Sequence, residues 1–195
     1  MTRWEVRLAG SGGQGLITAG IILADAAVRA GWNVVQTQSY GPESRGGAAR
    51  AEVIISDEDI DYPKVTRPDL LLVMTQVACG RYAGSLKEGG LLLADGDLVG
   101  DVPPGPYRVL RVPMTRIARE EVGRDIAANI VALGVLAAVT EIVPPGPLEQ
   151  AVLARVPRQT EDLNRRALRA GMAIGVRVAG TAGRGMSREV LRVHG

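Results

Sequence analysis

The chain has no phenylalanine, one cysteine (Cys79), one histidine (His194) and two lysines, Lys64 and Lys87. Each shortage excludes a class of chemistry. A lone thiol cannot close a disulfide within the chain, which fits a reducing compartment, and it cannot ligate an iron–sulfur cluster. A lone imidazole near the C-terminus cannot build a histidine zinc site or a Ser-His-Asp triad. Cys79 sits in an apolar helical context and reads as a small buried residue rather than a nucleophile. Nearly all positive charge is arginine, yet the formal net charge is only +2. No basic stripe with interleaved aromatics occurs, so nucleic-acid binding is not expected. No apolar run reaches membrane length and no signal peptide precedes the first strand, so a cytoplasmic chain is expected.

What is present is an ordinary globular composition, 46% hydrophobic and 23% charged over 195 residues. That suits a single domain. The most informative stretch is Val6-Arg7-Leu8-Ala9-Gly10-Ser11-Gly12-Gly13-Gln14-Gly15-Leu16-Ile17-Thr18. It reads as strand, glycine turn, helix. Ala19, Ile22, Leu23, Ala26, Ala27 and Ala30 follow the spacing of one helix face. Gly10, Gly12 and Gly15 fit G-x-G-x-x-G. Such glycines allow a tight turn, let a ligand approach the backbone, and pack the helix against the sheet. A phosphate at the helix N-terminus is one reading, and a ligand-free turn is the other.

Neither common user of such a loop fits. The second strand, Val34-Val35-Gln36-Thr37-Gln38, lacks the acidic residue that binds the ribose of NAD. Gly10 and Gly15 have the outer spacing of a P-loop, but Leu16 stands where the phosphate-binding lysine belongs.

The rest of the chain alternates strands and helices. Ser39 to Ala48 is a turn-rich loop carrying Tyr40, Glu43 and Arg45 beside Gly46 and Gly47. A third strand, 49–56, follows, then buried runs at 70–74 and 91–94 and a last strand at 107–112, with a short helix at 76–85. This pattern predicts a Rossmann-like open, mostly parallel sheet with helices on both faces. From residue 114 the chain turns helical. The expected segments are 115–122 ended by Gly123, 126–139 capped by Asp125, one starting near Pro147 and running through Arg155, and a last helix opened by Thr160. Glu161 is placed to pair with Arg165 on that last helix. Asn129 is the polar exception in an apolar helix, either satisfying nearby backbone or facing a ligand. The domain is expected to cover 1–178, and 179–195 reads as a Gly/Arg-rich tail.

These residues together resemble the gamma subunit of 2-oxoacid:ferredoxin oxidoreductases. The resemblance is carried by Gly10-Ser11-Gly12-Gly13-Gln14-Gly15 and by Ser39-Tyr40-Gly41-Pro42-Glu43-Ser44-Arg45-Gly46-Gly47. Ser56-Asp57 with Ile60 and Pro63, the Asp69 strand, Asn129 with Leu133-Gly134, and Asn164 with Gly171 extend it over residues 3–175. The second motif looks most like the 2-oxoglutarate branch, with pyruvate, branched-chain and indolepyruvate enzymes as alternatives.

The resemblance implies a complex that oxidatively decarboxylates a 2-oxoacid with coenzyme A, giving acyl-CoA, CO2 and reduced ferredoxin. It implies alpha, beta and delta-type partner subunits that carry thiamine diphosphate and the iron–sulfur clusters. The chain's own residues agree on what is missing. Asp95-Gly96-Asp97 is not the G-D-G start of a thiamine pyrophosphate motif, and one cysteine holds no cluster. No catalytic residue and no metal ligand is assigned to this chain. Gly10, Gly12, Gly13, Gln14, Gly15, Tyr40, Glu43, Arg45, Gly46 and Gly47 are expected at a coenzyme A-facing surface or a subunit interface. The competing reading is a free-standing nucleotide-binding protein on the same fold, and a third is a scaffold that touches no cofactor.

Overall fold

The computed structural model describes residues 2–40 and 48–182. Six strands form one sheet: β1 (Arg3–Ser11), β2 (Asn33–Tyr40), β3 (Ala48–Ser56), β4 (Leu70–Val73), β5 (Leu91–Asp95) and β6 (Arg108–Val112). Their spatial order is β2-β3-β1-β4-β5-β6. The helices are α1 (Leu16–Arg29), α2 (Gln76–Tyr82), α3 (Met114–Ile117), α4 (Ala128–Thr140), α5 (Pro145–Arg155) and α6 (Glu161–Ala182).

β1, β4, β5 and β6 pair in parallel, and every residue of β4 and β5 is buried. That is the continuous apolar pattern of strands covered on both faces. β3 departs from the expectation: it runs antiparallel to both β1 and β2, so the sheet is mixed. The reason is length. Only residues 41–47 join β2 to β3, and a parallel connection needs a crossover of a dozen residues or more.

Helices lie on both faces, but unequally. α1, α4, α5 and α6 cover one face around Leu8, Ile22, Leu72, Leu133 and Leu168. The other face has α2, its following 3-10 turn, the connection after β3 through Val65, and the β5–β6 connection through Val99, Val102 and Tyr107, around Leu71, Cys79 and Leu92. α1 presents Ala19, Ile22, Leu23, Ala26 and Ala27 inward, as its spacing predicts. α4 is buried from Ala128 through Ala137, as an all-round apolar helix must be.

α4 crosses α6 at very short range. A Cβ on Gly171 would lie 2.1 Å from the Val131 carbonyl oxygen, and one on Gly134 would lie 2.4 Å from that of Leu168. Glycine is therefore demanded by the backbone approach itself.

Two local expectations change. Asp125 does not cap α4: it opens a 3-10 turn, Asp125–Ala127, and both its carboxylate oxygens accept from Arg119 at 2.9 Å. α4 begins at Ala128 with no side-chain cap. Arg165 pairs with Glu149 of α5 and with Asp162 rather than with Glu161, because the neighbouring helix brings a carboxylate closer. Gly123 does end its segment, at φ +85, after α3 continues through one π-type turn. α6 runs on to Ala182, and Val178 packs against the main core.

Candidate functional site

The glycine turn sits at the carboxyl edge of the parallel strands, between β1 and α1. Its residues divide into two groups. Gly10, Gln14 and Gly15 are committed inside the fold. The Ser11 N–H donates to Gln14 Oε1 at 2.8 Å, and Gln14 Nε2 donates to the Met74 carbonyl at 3.0 Å. Gln14 thus ties the turn to itself and to the end of β4. A Cβ on Gly10 would lie 2.3 Å from Gln14 Oε1, so glycine at that position leaves room for the amide. Gly15 takes φ +73 at the N-cap of α1. Asn129 Nδ2 donates to its carbonyl at 3.1 Å, and a Cβ on Gly15 would lie 2.4 Å from that nitrogen. Asn129 therefore satisfies nearby backbone, bracing the turn from α4.

Gly12 and Gly13 hold the outward positions. Both are exposed, Gly13 has φ +91, and a Cβ there would meet open space. The close helix-to-sheet contact expected of the motif is made elsewhere: a Cβ on Gly20 would lie 2.5 Å from that of Ala51. The first N–H groups of α1 have no intrahelical acceptor, and Gly15 supplies no side-chain cap. They are available to an anion or a carbonyl.

Beside the turn lies a cleft of about 300 Å³. It is lined by Gly13 and Gln14 of the turn, Leu98 and Thr115 beyond β5 and β6, and Asp125 and Ile126 before α4. Ile126, expected inside the buried apolar helix, instead stands at the rim and is 75% exposed, because α4 begins only at Ala128; Leu98, 41% exposed, has no signal in the sequence. Among the described residues no lysine or arginine lines the cleft, and the one ionised side chain there, Asp125, is held below its ordinary value by the hydrogen bonds from Arg119. One wall is fixed by Asp95 at the end of β5. That buried carboxylate accepts from the Thr115 N–H at 2.9 Å, from Thr115 Oγ1 at 2.5 Å and from the Asp97 N–H at 2.9 Å. A carboxylate that follows a buried apolar strand is the sequence signal for such a brace.

Of the second motif, Glu43, Arg45, Gly46 and Gly47 lie outside the described residues, as do Gly41, Pro42 and Ser44. The backbone on either side is well placed. Ser11 pairs with Ala48, and Tyr40 pairs with Ala49. The strand ends on either side of 41–47 thus lie at the sheet edge where the glycine turn begins.

The remaining chemistry is quiet. Cys79 is fully buried, and burial pushes its thiol pKa up, which suits a packing residue. Among the described residues no group of three or more His, Cys, Asp or Glu could hold a metal ion. No described helix is long and apolar enough to cross a membrane.

A family model for pyruvate ferredoxin/flavodoxin oxidoreductase matches residues 5–174. The chain is 50% identical over 165 residues to the 2-oxoglutarate synthase subunit KorC of Methanocaldococcus jannaschii, covering 83% of this chain and 88% of that one. The gamma subunit of a keto/oxoacid ferredoxin oxidoreductase from Geobacter sulfurreducens superposes with a TM-score of 0.81 at 48% identity, covering 89% of this chain and 99% of that one. A 2-oxoglutarate:ferredoxin oxidoreductase from Magnetococcus marinus, solved with 2-oxoglutarate, coenzyme A and succinyl-CoA bound, superposes with a TM-score of 0.80 at 25% identity. That match covers 90% of this chain and 31% of the larger chain.

Proposed function

The chain belongs to the pyruvate ferredoxin/flavodoxin oxidoreductase family, and on that premise we propose that it is the gamma subunit of a 2-oxoglutarate:ferredoxin oxidoreductase. The complex would convert 2-oxoglutarate and coenzyme A to succinyl-CoA and CO2, with electrons passing to ferredoxin. Thiamine diphosphate and the iron–sulfur clusters would sit on the alpha, beta and delta-type partners. This chain's one buried thiol fits no cluster. Cytoplasmic assembly follows from the same reading.

The observation that carries the reading is that the strand ends flanking the second motif lie at the sheet edge where the glycine turn begins: Ser11 opposite Ala48, and Tyr40 opposite Ala49. In this reading Gly12 and Gly13 offer close backbone approach to a coenzyme A phosphate, together with the first N–H groups of α1. Gly10, Gln14 and Gly15 hold that backbone in place, with Asn129 behind them. In the same reading Tyr40, Glu43, Arg45, Gly46 and Gly47 belong to that coenzyme A-facing or subunit-facing surface, and Arg45 supplies a positive charge for the phosphate.

The test is anaerobic co-purification with the partner subunits, followed by ferredoxin reduction. Reduction that needs both 2-oxoglutarate and coenzyme A supports the reading. A chain that elutes alone and binds a nucleotide at micromolar concentration overturns it. In the intact complex, Arg45→Ala should raise KM for coenzyme A about tenfold with assembly preserved, a loss typical of one charge-assisted phosphate contact.

A further inference from the structure

β6 is the edge strand of the sheet, and among the described residues its outer side is unsatisfied in several ways at once. The Arg108 N–H donates to the Gly90 carbonyl at 2.9 Å, on the β5 side. By strand alternation, the N–H and C=O groups of Val109 and Arg111 point away from the sheet. Val109 is 44% exposed, on an edge with no charged cover on that residue. Beneath the edge runs an apolar groove of about 220 Å³, lined by Leu91, Leu110, Val139, Val178 and Ala179 together with Arg108. Arg108 Nε is buried there with no hydrogen-bond partner. It is the one buried side-chain nitrogen or oxygen left so among the described residues. A buried guanidinium N–H without an acceptor is an incomplete site, and its natural complement is a carboxylate.

We infer that β6 receives an extended segment of a partner subunit as a seventh strand. That segment carries an Asp or Glu for Arg108 and, two positions along, an apolar residue that fills the groove beside Leu110 and Val178. The two-residue spacing follows from the strand repeat, which returns side chains to one face at every second position. The pairing is strand addition to an open edge, in which backbone bonds give affinity and side-chain pockets give choice of partner.

Charge selects among occupants. A second copy of β6 offers Arg108-Val109-Leu110-Arg111-Val112, two arginines and no acid, so it leaves Arg108 unmet. Residues 183–195 of this chain offer Glu189 with Leu191 two positions on, but the register that sets Glu189 on Arg108 and Leu191 on Leu110 puts Arg192 opposite Arg111, a like-charge pair across the strands. An acidic segment of a different subunit meets the requirement. The inference rests on the chain being a subunit of a hetero-oligomer.

The test is amide hydrogen exchange over residues 107–112, in the isolated chain and in the purified complex. Protection should rise at least tenfold on assembly. Val109→Pro removes one outward N–H without removing a bond to β5, so the isolated variant should fold as wild type. Arg108→Met keeps the apolar stem and removes the guanidinium. Both should weaken assembly by at least tenfold while leaving the isolated chain's melting temperature within a few degrees. Unchanged exchange in an active complex overturns this inference and leaves the enzyme assignment standing. Protection already present in the isolated chain and lost on deleting 183–195 overturns it in favour of the chain's own tail. Protection that depends on the concentration of this chain alone overturns it in favour of a second copy.

Discussion

The two faces of the sheet solve burial by different means. On the face covered by α1, α4, α5 and α6 the contacts are hydrocarbon, and glycines at 134, 171 and 175 let α4 and α6 touch backbone to backbone. On the thinner face an ion pair lies inside. Arg7 is bonded to Glu52 at 2.7 Å, to Ser85 Oγ at 2.6 Å and to the Val65 carbonyl at 2.9 Å. The Tyr82 ring centroid is 5.4 Å from its guanidinium. The first face gains by shape and the second by directional bonds. A face with one short helix and an irregular connection cannot be closed by side-chain volume alone. Here one arginine ties β1, β3, the turn after α2 and the connection before β4 together.

The largest expected effect breaks the charged face. Glu52→Leu leaves the Arg7 guanidinium buried, with two neutral acceptors and no counter-charge. Removing one partner of a buried pair costs about 3–5 kcal/mol. Chemical denaturation of the isolated chain should show that loss. The double variant Arg7→Met with Glu52→Leu should recover most of it, because neither charge then has to be desolvated. A double variant as unstable as the single one would mean that the bonds to Ser85 and Val65, rather than the charge pair, hold this face.

Next comes the apolar face. Gly171→Val forces a side chain against the Val131 carbonyl, which cannot swing away as a flexible side chain could. Overpacking of this kind costs about 1–3 kcal/mol or more. Thermal denaturation checks it. Gly180→Ala, with open space at the same helix's far end, is the control and should lose nothing.

A smaller effect should appear where α4 meets the site. Asn129→Ala removes the brace on Gly15 and leaves its carbonyl without that donor, a cost of about 1–2 kcal/mol. The more useful readout is local. Amide exchange at residues 12–16 should speed up more than exchange in β4. Equal acceleration in both would mean that Asn129 serves the core and not the turn.

The same division explains what the sequence could and could not reveal. Helix α1, the all-round apolar α4 and the buried runs of β4 and β5 are legible because periodicity reports burial directly. The reversal of β3 is not, since alternation carries no direction. Only the short 41–47 connection holds that information. The Arg7–Glu52 pair is equally silent. Charged residues at alternate strand positions look solvent-facing until a second strand, 45 residues away, brings the partner. In the site, the glycine turn was legible as a turn. The roles of its parts were not: Gln14 reaches a carbonyl 60 residues on, and Asn129 reaches back across 114. Asp125 misleads for a related reason. Its position before a helix suggests a cap, but Arg119, six residues earlier, offers a charged partner.

The smallest expected effect sharpens the contrast, because the Arg119–Asp125 pair has the same chemistry as Arg7–Glu52 but lies in water. The side chains of its two residues are more than half exposed, so solvent screens the attraction. The Asp125 carboxyl is held below its ordinary value chiefly by the hydrogen bonds from Arg119. A carboxyl depressed in the folded state contributes stability above its unfolded pKa, about 3.9, and loses it as pH falls through the lower folded value. Stability should therefore be unaffected by this pair between pH 7 and 5 and decline only in acid. Arg119→Ala should move the Asp125 titration, followed by carboxyl-carbon NMR, up toward the ordinary value, with the melting temperature at pH 7 almost unchanged. A loss at pH 7 as large as that of Glu52→Leu would show that exposure is not what separates the two pairs, and that the segment before α4 is held by Arg119 as firmly as the thin face is held by Arg7.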